Sequence, residues 1–150
     1  MAGIKAILQA TVGECPVAYQ TMLQIKAPTN QRLTVHAISI SFEGEVTTDA
    51  PILVDIVRQS DAGTGGDAVT PYPIDQAVDE TLQATGLEDI DGGDPTDVND
   101  VLSEYVHPQG GYTWHAHILE PIVVVGGGRL AICTTAADLN NCVCRFEYEE

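Results

Sequence analysis

The residues best suited to chemistry lie in one run, Gly110 to Glu120, where His115 and His117 stand two positions apart and Glu120 follows. Two side chains at i and i+2 of a strand share a face, so this pair could offer two imidazoles to Fe, Mn or Zn, with a carboxylate and a third imidazole completing the set. Glu120 has the opposite strand parity to the pair unless Pro121 marks a bulge. No histidine follows Gly128, and the only others are His36 and His107. We therefore expect a polar strand face here, with Trp114 and Ile118 turned inward, and no bound metal.

Two other groups invite a similar test. The stretch Glu88-Asp89-Ile90-Asp91-Gly92-Gly93-Asp94, with Asp97 and Asp100, has the oxygen-rich character that Ca²⁺ prefers. Setting Gly92 at the turn position of an EF-hand loop puts Leu87 at the first ligand and Val98 at the last. Setting Gly93 there puts Ile90 at the third. A solvated acidic loop is the expectation. Cys142 and Cys144 are also an i, i+2 pair, whereas zinc sites usually use Cys-x-x-Cys turns; we read them as small buried hydrophobes. With Cys15 and Cys133 they make four cysteines without a secretory signal, and we expect free thiols. Nucleophile elbows and phosphate-cradling glycine loops before a lysine are absent, so no catalytic set, enzyme activity or cofactor is expected.

The charge narrows the partners. The chain has 22 acidic and 6 basic residues, a net −16, and no Lys or Arg occurs between Arg58 and Arg129. A nucleic-acid or anionic-membrane binder needs clustered cations, and here they are single and scattered. The opening MAGIKAIL has no basic region followed by an apolar core, and runs such as Ile122 to Val125 are too short to span a bilayer. We expect neither nucleic acid nor membrane as a partner.

The elements that would position these residues are strands. Period-2 alternation and β-branched runs predict strands at 4–11, 18–27, 32–42, 52–58, 101–107, 112–119, 122–125, 129–134 and 143–148. Within 32–42 the apolar face changes sides near Ala37, which predicts a bulge or a bend. Turn residues at 27–30, 126–128 and 138–141 suggest antiparallel neighbours. The fold expected is all-β, an antiparallel two-sheet β-sandwich of jelly-roll-like kind, as a single domain over 1–150 with long loops at 60–76 and 88–100. Ile74, Val78, Leu82 and Leu87 could form a loose helical face, or 81–85 a short strand. The expected core is Leu23, Ile25, Leu33, Val35, Ile38, Ile40, Val54, Ile56, Ile118, Val123, Leu130, Ile132, Val143 and Phe146.

The run 110–127 resembles the first metal motif of the cupins, themselves double-sheet jelly rolls. Its Glu120 to Gly127 step fits that pattern, but the steps from Gly110 to His115 and from His117 to Glu120 are short. That resemblance implies a metal-dependent enzyme using His115, His117 and Glu120. A carbohydrate- or receptor-binding sandwich, with Trp114, Tyr112 and Tyr72 stacking on sugars, is a further alternative.

A broader likeness runs the whole length. Ile-Lys-Ala-Pro (25–28), the strand Leu33 to Phe42, Ile-Val-Arg-Gln-Ser (56–60) and Thr-Pro-Tyr-Pro-Ile-Asp (70–75) come first. Gly-Gly-Tyr-Thr-Trp (110–114), Glu-Pro-Ile-Val-Val (120–124), Gly-Gly-Arg-Leu-Ala-Ile (127–132) and Arg-Phe-Glu-Tyr-Glu-Glu (145–150) follow. In this order they resemble a group of small tailed-bacteriophage virion proteins. The resemblance implies a jelly-roll-like head decoration protein, a homotrimer made in the host cytoplasm that binds the major capsid protein and stabilises the capsid surface. The acidic insertion at 88–100 and the cysteines depart from that group. Tyr72, Tyr112 and Trp114 are the expected interface anchors, because aromatic residues favour interfaces.

Overall fold

The alternating runs become strands in the computed structural model, which describes residues 3–10, 13–43, 49–75, 79–117 and 120–150. In chain order the strands are β1 (Lys5–Gln9), β2 (Glu14–Cys15), β3 (Gln20–Lys26), β4 (Leu33–Phe42), β5 (Ile52–Gln59), β6 (Asp67–Val69) and β7 (Tyr72–Pro73). They continue as β8 (Thr85–Ile90), β9 (Asp97–Val106), β10 (Tyr112–His115), β11 (Ile122–Val124), β12 (Arg129–Thr135) and β13 (Asn140–Glu149). No helix occurs among the described residues. Two sheets form a sandwich: one runs β10-β4-β13-β1-β7, with β11 also on β4 and β2 on β13, and the other runs β6-β8-β3-β12-β5-β9. Every pairing is antiparallel.

Among the described strands, none pairs with its immediate neighbour in sequence. The turns expected to join antiparallel neighbours instead carry the chain between sheets. Residues 27–30 lead from β3 to β4, 126–128 from β11 to β12, and 138–141 from β12 to β13. Turn residues dictate that the chain reverses, but burial of both sheet faces decides which strand it then meets. At 126–128 the reversal uses a positive φ of 76° at Gly127, whose N–H donates to the Pro28 carbonyl at 3.0 Å.

One hydrophobic core fills the space between the sheets. β13 turns Cys142, Cys144, Phe146 and Tyr148 inward against Leu8, Ile38, Ile40, Ile56, Leu130 and Ile132. Expected core residues Leu23, Ile25, Leu33, Val35 and Val54 are buried as well. Two expectations are corrected. Val143 is 40% exposed, because it has the opposite parity to Phe146 on an unbroken stretch of β13. Val123 is only half-buried, since Ile122 and Val124 are the inward pair of β11. Ile118 lies outside the described residues.

Bulges adjust the faces. On β4, Glu147 pairs with Ala37 and Tyr148 with Val35, leaving His36 as the extra residue, so Val35 and Ile38 both reach the core. This is the side switch expected near Ala37. On β3, Met22 is the extra residue between the Cys133–Thr21 and Ile132–Leu23 pairs, and Met22 and Leu23 both point inward. Gly86 on β8 marks a close approach of the sheets: a Cβ there would sit 2.5 Å from Leu8 Cδ1.

The middle of the chain is more ordered than its composition suggests. The stretch 88–100, expected as a loop, belongs largely to β8 and β9, leaving 91–96 as the connection between them. The segment 60–76 contains β6 and β7. Of the residues suggested as a helical face, Leu87 lies on β8, Leu82 packs half-buried against the core, and Val78 falls outside the described residues.

Candidate interaction surfaces

The three aromatics expected as anchors stand at opposite ends of one sheet. Tyr72, 49% exposed, lies on edge strand β7, whereas Tyr112 and Trp114 lie on β10. The order of that sheet puts four strand spacings between them, roughly 19 Å at ~4.8 Å per strand. Tyr112 and Trp114 rest half-buried against the core, opposite Ile40 and Ile38, while Thr113 and His115 point to solvent. Burial, reinforced by the Glu104 carboxylate, raises the Tyr112 hydroxyl above the ordinary tyrosine range.

The imidazole pair does not enter the sandwich. His115 is exposed at the end of β10, and the Ala116 N–H after it donates to the His36 carbonyl on β4 at 2.8 Å. His117 and Glu120 are also exposed, and the Glu120 N–H donates to the His117 carbonyl at 2.9 Å. Among the described residues, no group of three or more His, Cys, Asp or Glu side chains is placed to share a metal ion.

The cysteines are all free and buried. Cys142 and Cys144 share an inward face, as their spacing requires, with their sulfurs 3.9 Å apart. Cys15 joins them through the pairing of β2 with β13, where it faces Asn140. The neighbouring Cys142 sulfur and burial both hold the Cys15 thiol protonated, far above its ordinary value. Cys142 is raised chiefly by its contact with Cys144. Thiols held in this form are poor nucleophiles.

Cys133 belongs to a different cluster. It packs with Val57, Ala131 and Tyr19 apart from the main core, and burial pushes its thiol up to about 12. The residues around it are polar and linked. Gln24 Nε2 donates to Gln59 Oε1 at 2.7 Å and to the Asp61 carbonyl at 2.9 Å. Gln59 Nε2 donates to Thr21 Oγ1 and to Asp97 Oδ1, both at 2.9 Å. The Thr21 N–H donates to Asp94 Oδ1 at 2.9 Å, and the Tyr19 hydroxyl donates to Asp97 Oδ2. Asp61 accepts from the N–H groups of Gly63 and Thr96, bonds that hold its carboxyl below the ordinary range. Several carboxylates of the acidic segment therefore act as acceptors that close loops 60–64 and 91–97 over the sheet. Sequence reasoning missed this network, although Gln24 and Gln59 inside apolar strands were its visible trace.

The other feature missed is the edge position of β9, whose second half is the strand expected at 101–107. Among the described residues β9 is an edge strand paired only with β5, and eight of its ten residues are exposed. Val98, Val101 and Tyr105 are exposed by 63%, 37% and 73%. Unpaired backbone groups along such an edge are available to another strand. The other strands with a single partner are shorter: β6 and β11 have three residues, β2 and β7 two, and β10 four. The chain matches no protein-family model, no curated protein and no solved structure.

Proposed function

We propose that this chain is a structural, non-enzymatic component of a tailed-phage head, bound as a homotrimer to the outside of the major capsid protein shell. Its two sheets would then be connected in jelly-roll order. The observation that carries the reading is β9, a ten-residue edge with Tyr105 and Val98 in solvent, because exposed apolar edges mark contacts with other chains. The order of segments along the whole sequence agrees with the same role. His115, His117 and Glu120 all face solvent, so their placement lends no support to the metal-enzyme alternative.

The mechanism is mass action. A protein that binds only the expanded shell stabilises that state by its binding free energy, repeated over many copies. A trimer engaging several shell subunits at once dissociates slowly, since each contact holds the others in reach. The test is sedimentation of the purified protein with expanded and unexpanded shells of a tailed phage. It pellets with the expanded shells alone; recovery in the supernatant with both would overturn the proposal.

A further inference from the structure

We infer that β9 is a docking strand for an extended segment of a partner protein in which Lys or Arg alternates with apolar residues. This rests on the proposal that the chain works by assembly, and adds where the contact lies and what chemistry it takes.

The backbone defines the usable length. Leu102 to Val106 pair residue for residue with Ile56 to Ile52, so every second N–H and C=O on that run points away from β5. Nearer its start, Val98 and Val101 are extra residues that interrupt the register. Bulges of this kind protect an edge, which confines a docked ladder to 102–106. Tyr105 stands one residue from the end of that run, paired with half-buried Leu53, and offers apolar surface to a cross-strand neighbour.

Charge selects the partner. Glu104 lies within that run and Asp100 just before it, in a stretch of 70 residues that contains no Lys or Arg. Arg58 is the nearest cation in the ladder, opposite Asn99, and its Nη1 is committed to the Val123 carbonyl at 3.0 Å. A second β9 would place two sets of these carboxylates side by side without a cation, and like charges across a ladder are destabilising. A strand carrying cations at alternate positions reverses the sign and steers its own approach.

The probe is a short peptide of alternating Lys and Val, titrated into the full-length protein and followed by backbone amide shifts. Its control has the same sequence with alternate amides N-methylated, which keeps the charge and removes one edge of donors. The parent peptide perturbs 102–106 and their β5 partners, and N-methylation or the pair Asp100→Lys and Glu104→Lys weakens it about tenfold or more. Equal binding of the methylated peptide, or shifts spread over the acidic surface, would overturn the assignment. Shell sedimentation separates the two proposals. If wild-type protein pellets with expanded shells and the double variant pellets equally, the docking strand is wrong while assembly stands. If the wild type does not pellet but the peptide maps to 102–106, assembly on a shell is wrong and the docking strand stands.

Discussion

Gln24 on β3 donates to Gln59 on β5 through a 2.7 Å bond that is buried from solvent, although β12 lies between the two strands. β12 presents Ala131 beside Gln24, a small side chain that leaves room for the amides to meet. Gln59 in turn satisfies Thr21 and Asp97. Replacing it with Leu leaves three polar partners without this amide, at a cost of about 2–3 kcal/mol in urea unfolding. A loss under about 0.5 kcal/mol, the range of ordinary surface substitutions, would mean that water replaces the network freely.

Alkaline pH should destabilise the protein through its thiols. Cys133 rises from 9.0 to about 12 on folding, so the folded state keeps a proton that the unfolded state releases. The stabilisation is whole below about pH 9 and falls as pH rises toward 12, by up to about 1.4 kcal/mol per pH unit for this one group. Cys133→Ala flattens that limb when urea midpoints are measured across the window. An unchanged slope would show that Cys133 does not set this limb.

Acid acts through Asp61 with the opposite sign. Its folded pKa lies below the unfolded 3.8, so its contribution is present above that value and is lost as pH falls through the folded one. Asp61→Asn lowers the melting temperature at neutral pH and makes stability less pH-dependent below about pH 4. A neutral-pH melting temperature equal to wild type would show that the bonds to Gly63 and Thr96 do not hold the loop.

Oligomerisation should respond to salt. Three copies carry about −48, and exposed charges are screened beyond a Debye length of roughly 8 Å. The proposed trimer is therefore expected to tighten as salt rises to moderate levels. Tyr72 is the most exposed of the three expected anchors, and Tyr72→Ala weakens the trimer by about 2 kcal/mol without changing monomer stability. Sedimentation equilibrium reads both effects, and a monomer at every salt concentration would contradict them.

Nine of the strands were legible because alternation survives wherever one face is buried and the other wet, as along Ile52 to Ile56. The four not foreseen, β2, β6, β7 and β8, are short or interrupted by Gly, Pro and Asp, and owe their extended form to longer partners. Val143 looked more apolar than Cys142 and Cys144, but parity with Phe146 decided in favour of the cysteines. Sheet order is less legible still, because pairing here is entirely between strands distant in sequence. That is why Tyr105 could not be identified as an edge residue, while Tyr112 and Trp114, on an aromatic strand of ordinary pattern, drew attention instead.

The most direct test of the proposed function is the protein inventory of phage heads purified from cells that carry the gene for this chain. The chain is expected to co-purify with mature, expanded heads through a density gradient, in copy number comparable with the major shell protein, and to be missing from unexpanded precursors. Mature heads that are intact and lack the chain would contradict the proposal.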